Sequence, residues 1–144
     1  MGRVVNTVRI DRPIAEVFAF VTDPTNSPKW DSVVFEASVA ERPVRLGTAF
    51  HTKGKVLGRV IELDGRVTEF QPYARYTTRS DRPYPYTITW TFRSDDSGTK
   101  VVRAGNIETT GLLALLSPIT RRIAWRTDQR SLERMKALLE TGTR

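Results

Sequence analysis

Hydrophobic and polar positions along the chain follow three successive patterns. Residues 3–10 are rich in valine and isoleucine, and this β-branched run predicts a strand that stops at Arg12-Pro13. Ile14, Val17, Phe18 and Val21 then fall at i, i+3, i+4 and i+7, which is one apolar face of a short helix. Pro13 suits the first helical position, where its missing amide would be unpaired anyway, and Asp11 and Glu16 put negative charge near the positive end of the helix dipole. Asp23-Pro24 ends the helix, because a residue before proline is pushed out of the α region. The polar residues 25–30, which close on Trp30, suit a second short helix or turn.

From Val33 the period changes to two. Val33, Phe35, Ala37 and Val39 alternate with Val34, Glu36 and Ser38, as a strand with one buried face should. After a loop at 41–47, strands are expected at 48–56, 60–70, 73–79, 84–92 and 99–108. Their separators are Gly58, Pro72, Asp81-Arg-Pro83 and the run 94–98, short links of the kind that make an antiparallel meander. Asp64-Gly65 is a hairpin dipeptide inside one of these strands; we place the turn near Gly58 and read Gly65 as a bulge. The third pattern begins at Ser117-Pro118, an N-cap residue followed by proline, and runs without proline to about Glu140 as the longest helix. Its apolar face is Leu116, Ile119 and Ile123 in the first half and Leu132, Met135, Leu138 and Leu139 in the second.

Composition narrows the chemistry. The 144 residues suit one domain spanning 1–144, long enough to bury a substantial core. There is no cysteine and one histidine, His51, which excludes disulfides, thiolate nucleophiles and multi-histidine metal sites, so no metal and no cofactor are expected. Lys and Arg number 23 against 16 Asp and Glu, a net charge of +7, and 18 of the 23 are arginine spread from Arg3 to Arg144. No block of like charge forms a nucleic-acid-binding arm, so nucleic acid is disfavoured as a partner, although the charge leaves room for anionic ones. The longest apolar run, 112–116, is far too short to span a bilayer, so a cytoplasmic protein with at most peripheral membrane contact is expected. Self-association as a homodimer stays open.

The segment from Val8 through Arg12-Pro-Ile-Ala-Glu-Val-Phe-Ala-Phe-Val-Thr-Asp-Pro24, with Asn26, Pro28 and Trp30, resembles the opening of the START-like helix-grip (SRPBCC) superfamily in its polyketide cyclase/dehydrase and lipid-transport branch. Leu46-Gly-Thr48, Val67-Thr-Glu-Phe-Gln-Pro72, Gly98-Thr-Lys-Val101, Pro118 and Leu132-Glu-Arg-Met-Lys-Ala-Leu-Leu-Glu140 extend the resemblance over the chain. It implies an α+β helix-grip fold: a curved antiparallel seven-stranded sheet around a long C-terminal helix, in the order β-α-α-β6-α. It also implies a cavity between sheet and helix that takes a hydrophobic or aromatic small molecule.

Strand alternation nominates the lining of such a cavity. Tyr86 and Trp90 share a face with Ile88 and Phe92, and Tyr76 shares one with Ala74 and Thr78; aromatic rings supply apolar area and a polar atom that can orient a ligand. Trp30 belongs near the pocket mouth, either as a packing anchor or as a contact. Phe35 on its strand and Leu116, Ile119 and Ile123 on the last helix complete the apolar lining. Asn106 shares parity with Val102, Ala104 and Glu108, which would set it on the concave face; a carboxylate there could move protons, but Glu108 is next to the end of its strand and is read as solvent-exposed. His51 alternates with Lys53 and Lys55 and is expected outside. Arg122, Arg126, Arg130 and Arg134 recur every four residues as a positive stripe, read as a solvated face with Asp128 and Glu133 as partners.

The sequence therefore predicts binding of a lipid, isoprenoid or polyketide-like molecule. Two alternatives stay open: a cyclase or dehydrase, for which no catalytic constellation is evident, and a module docking an acidic macromolecule through its basic surface.

Overall fold

The structure is a computed structural model and describes residues 2–56, 58–82, 85–107 and 118–142. Strand β1, Gly2–Ile10, leads into helix α1, Ile14–Val21, a 3₁₀ turn at Pro24–Asn26 and helix α2, Ser27–Trp30. Six strands follow: β2 Val34–Val39, β3 Ala49–Val56, β4 Arg59–Gln71, β5 Arg75–Arg82, β6 Tyr86–Asp95 and β7 Gly98–Ile107. Helix α3, Pro118–Thr141, closes the chain. All seven strands form one antiparallel sheet in the order β1-β7-β6-β5-β4-β3-β2, with β1 and β2 at its edges. This is the α+β arrangement expected from the sequence.

Local chemistry explains the boundaries. Pro13 sits one position before α1 as its cap, and its carbonyl accepts from the amides of Glu16 and Val17. The end of α1 is closed by Thr22, whose amide and hydroxyl both donate to the Phe18 carbonyl. Asp23 then starts the 3₁₀ turn by accepting from the Thr25 amide at 3.1 Å. The β3–β4 turn falls at Gly58, whose φ of +79° favours glycine, and the pairing of β4 with β5 shifts between Asp64 and Gly65.

Helix α3 runs along the β1 edge and satisfies its outward carbonyls. Trp125 Nε1 donates to the Val5 carbonyl at 2.9 Å, Gln129 Nε2 to that of Thr7 at 3.1 Å, and Lys136 Nζ to that of Arg9 at 2.8 Å. Side chains of one helix thus occupy every second carbonyl of an edge strand that would otherwise offer them to another chain. The core lies between the sheet and the helices. Ile10, Val17, Val67, Val101, Leu132, Met135 and Leu139 are almost fully buried there, and Phe18 meets Phe92 edge to face at 5.0 Å.

Strand β2 departs from the alternation read from its sequence. Its pairing with β3 slips between Val34 and Glu36, so that Val34, Ala37 and Val39 face the same way as the buried Phe50, while Phe35 is left 52% exposed. One extra residue at a bulge reverses the phase of everything before it.

Candidate functional site

Cross-strand register builds the interior one row at a time. Residues directly opposite each other in an antiparallel ladder share a face. Tyr76 on β5 opposes Trp90 on β6, Trp90 opposes Arg103 on β7, and Arg103 opposes Asn6 on β1. This single row crosses four strands on the side covered by α3. Asn6, almost fully buried, donates through Nδ2 to the Trp125 carbonyl and to Gln129 Oε1, both at 3.0 Å. Arg103 Nη1 meets Asp128 Oδ2 of α3 at 3.2 Å, and its guanidinium carbon lies 5.7 Å from the centre of the Trp90 ring. Trp30, at the end of α2, stands edge to face against Trp90 at 5.5 Å, so α2, the sheet and α3 converge on one aromatic–cation centre.

The centre is electrostatically unbalanced. Arg103 Nε is buried with no hydrogen-bond partner, which costs free energy that a bound acceptor would recover. Burial pushes the Asp128 carboxyl above the usual carboxylate range, opposed by the charge of Arg103 and reinforced by that of Asp31. Tyr86 is pushed up to about 12, chiefly by burial, and burial also raises Tyr76. Both phenols are therefore neutral donors at physiological pH. Burial varies along the inner face: Phe92 and Val101 are buried, whereas Tyr86, Ile88 and Val4, toward the other end of the same face, are half-buried.

The structure brings some of the expected residues together and separates others. Trp30, Tyr76, Tyr86 and Trp90 stand on or against the inner face. Asn106 does not. Its neighbours in register are Thr87 and Arg3, one residue out of phase with Trp90 and Arg103, so it lies on the outer face, half-buried, with Oδ1 unpartnered. The phase of β7 is set by Thr99 and Val101, both fully buried, which fixes Arg103 and Gly105 as the inward positions. Phe35 is exposed at its bulge. Ile123 is 59% exposed, because the inward line of α3 runs through Asp128, Leu132, Met135 and Leu139. Leu116, Glu108 and the side chain of Ile119 lie outside the described residues. His51 lies on the outer face of the sheet, with Nδ1 2.6 Å from Asp64 Oδ1 and Nε2 3.0 Å from Glu62 Oε1. Of the partners assigned to the arginine stripe, Asp128 faces Arg103 instead and Glu133 accepts from Gln129.

Sequence reasoning passed over Arg103 and read Asp128 as a surface partner of the arginine stripe, although both left a signal. Arg103 shares the strand phase of the apolar Val101, and Asp128 is four residues before Leu132 on the buried stripe of α3. A charged residue in phase with a core face at two places is a pair waiting to be matched. Among the described residues no group of three or more metal-binding side chains occurs, and no helix is long and apolar enough to cross a membrane.

A curved antiparallel sheet closed by a long C-terminal helix over an aromatic interior defines the START-like helix-grip class. Within it, the family model for polyketide cyclase / dehydrase and lipid transport matches residues 1–140, and the chain belongs to that family. The uncharacterized protein MT0096 of Mycobacterium tuberculosis (strain CDC 1551 / Oshkosh) is 30% identical over 95 residues, or 65% of this chain; the match spans only 42% of that relative's length. TTHA0849 from Thermus thermophilus superposes with a TM-score of 0.83 at 18% identity, covering 99% of this chain and 100% of that one. A START superfamily protein from Mycobacterium smegmatis superposes with a TM-score of 0.81 at 13% identity, covering 98% and 99%. At such identities the likeness shows the fold.

Proposed function

We propose that the protein binds a hydrophobic or aromatic small molecule of the lipid, isoprenoid or polyketide kind between the inner face of the sheet and α3. The observation that carries this reading is the Trp90–Arg103–Asp128 centre. Trp90, with Trp30 and Tyr76 against it and Tyr86 on the same strand face, stands beside one cation whose Nε lacks a partner. Apolar burial would supply affinity at about 25 cal/mol per Å², while Arg103 and the Tyr86 phenol would orient a carbonyl or hydroxyl. Titration with the neutral fluorophore N-phenylnaphthylamine tests it. Saturable binding, weakened in Trp90→Ala and displaced by aromatic or lipid competitors, is the expected result. Failure of the fluorophore and of a broad competitor panel to bind would sink the reading.

One observation favours a second reading, a cyclase or dehydrase. Asp128 is a carboxyl held above its usual range by burial, beside a guanidinium that can stabilise a developing enolate. Under this reading Asp128→Asn abolishes turnover and leaves fluorophore binding in place; loss of both together would argue for a binding role alone.

A further inference from the structure

Along the β1–α3 seam lies a groove of about 570 Å³ lined by Arg3, Val4 and Val5 of β1 and by Arg121, Arg122, Trp125 and Arg126 of α3. Its lining takes in Val4 from the inner face but neither Arg103 nor Trp90 of the interior centre. None of the ion pairs among the described residues includes one of its four arginines, in contrast to Arg9, Arg42, Arg66, Arg75 and Arg103, each of which faces a carboxylate. Four guanidiniums lining one groove with no ion-pair partner among the described residues repel each other, so the cluster is relieved by an anionic partner. Apolar side chains stand among them. Trp125 is 44% exposed and fixed in place by its bond to the Val5 carbonyl, and Val5 itself is exposed in the same groove.

We infer that this face docks on an anionic lipid bilayer, with the arginines on headgroup phosphates and Val5 and Trp125 at the headgroup–acyl boundary. Guanidiniums mixed with exposed tryptophan and aliphatic side chains are the composition of an interfacial surface. A single-stranded nucleic acid fits less well, because sequence-tolerant binding uses successive stacking aromatics and Trp125 is the one aromatic residue lining the groove. The position also has a consequence. Arg3 adjoins the Gly2–Ile107–Tyr86 end of the sheet, which is the less buried end of the inner face. Docking there turns that end toward the membrane without any segment crossing it.

Co-sedimentation with vesicles of equal parts phosphatidylglycerol and phosphatidylcholine, against phosphatidylcholine alone, tests the inference. Binding to the mixed vesicles only, falling with added salt, is expected. Each basic side chain near an anionic surface is worth about fivefold in affinity, so Arg122→Gln/Arg126→Gln should bind about thirtyfold more weakly. Arg93→Gln/Lys100→Gln removes the same charge from exposed residues of β6 and β7 at the opposite end of the sheet and should leave binding within about twofold of the parent. Val5→Ser should weaken binding with the circular dichroism spectrum unchanged. Equal binding to phosphatidylcholine alone, or equal losses in the two double variants, would overturn the inference. So would release from vesicles by free glycerol phosphate at constant ionic strength, which indicates a small-anion site, or preferential release by single-stranded RNA.

Discussion

Arg103 of β7 and Asp128 of α3 meet at 3.2 Å across the interior, with side chains only 13% and 29% exposed. Removing one member of such a pair leaves the other poorly solvated. Fully buried pairs lose about 3–5 kcal/mol in this way and exposed ones under about 1, so Arg103→Met should cost about 2–3 kcal/mol at neutral pH. The cost should depend on pH. Asp128 in the folded protein titrates above its ordinary 3.8 because burial disfavours its charge, so the folded state takes up this proton before the unfolded state does. Stability from this group therefore rises as pH falls from the folded value toward 3.8. The Arg103→Met variant, having lost the opposing guanidinium, should recover more of its deficit in acid than the parent gains. Urea melts at neutral and mildly acidic pH, with Arg103→Met/Asp128→Asn as the reference lacking the titrating group, measure this; a deficit of constant size would show that the carboxyl is not the source.

His51 should titrate above its ordinary 6.5. Its hydrogen bond to Asp64 is the largest cause and its bond to Glu62 the next, with slight burial opposing both. As the chain has one histidine, its ring proton resonances are assigned by inspection. Asp64→Asn should lower the midpoint more than Glu62→Gln does. A folded pKa above the unfolded one means that the stability contributed by this group is fully present below 6.5 and is lost as pH rises through the folded value. A His51→Gln variant should flatten that part of the pH–stability curve and leave the acid limb unchanged.

Much of this was legible in the sequence because periodicity reports burial directly. The α1 face, the turn at Gly58, the bulge at Gly65, the inward phase of β6 and the span of α3 all follow from which residues must leave water. What failed to read was phase after an irregularity. A bulge in β2 adds one residue without changing the composition around it, and it exchanged Phe35 for Val34 on the inner face. On β7, the polar Asn106 drew attention by its chemistry, whereas the register depends on the buried Thr99 and Val101. Arg103 and Asp128 were overlooked as a pair for a related reason: each looks like a surface residue by type, and their pairing spans two elements that only the tertiary fold brings together.

The exposed placement of Phe35 carries its own expectation. Aromatic residues in strands usually pack, and Phe→Ala in a core costs about 3–5 kcal/mol. Phe35→Ser should instead change stability by less than about 0.5 kcal/mol, since the ring lies on the solvent side of the bulge. It should also leave N-phenylnaphthylamine affinity unchanged. Chemical denaturation and the fluorophore titration together decide it: a large loss in either would return Phe35 to the inner face and require the β2 register to be redrawn.

Gly65 and Phe50 give the most specific packing test. They oppose each other across β3 and β4, and a Cβ added to Gly65 would stand 2.5 Å from Phe50 Cζ and 2.8 Å from Cε1. The missing side chain is thus the space that the buried Phe50 ring occupies. Overpacking of this kind costs about 1–3 kcal/mol, so Gly65→Ala should destabilise the protein even though alanine usually suits a strand better than glycine does. Shortening the ring removes the conflict. Phe50→Leu alone should cost about 1 kcal/mol from lost packing, and Gly65→Ala/Phe50→Leu should be more stable than the sum of the two losses by more than about 0.5 kcal/mol, the coupling expected of residues in contact. Additive losses would mean that Gly65 is required for its backbone at the bulge, and that the ring contact is incidental.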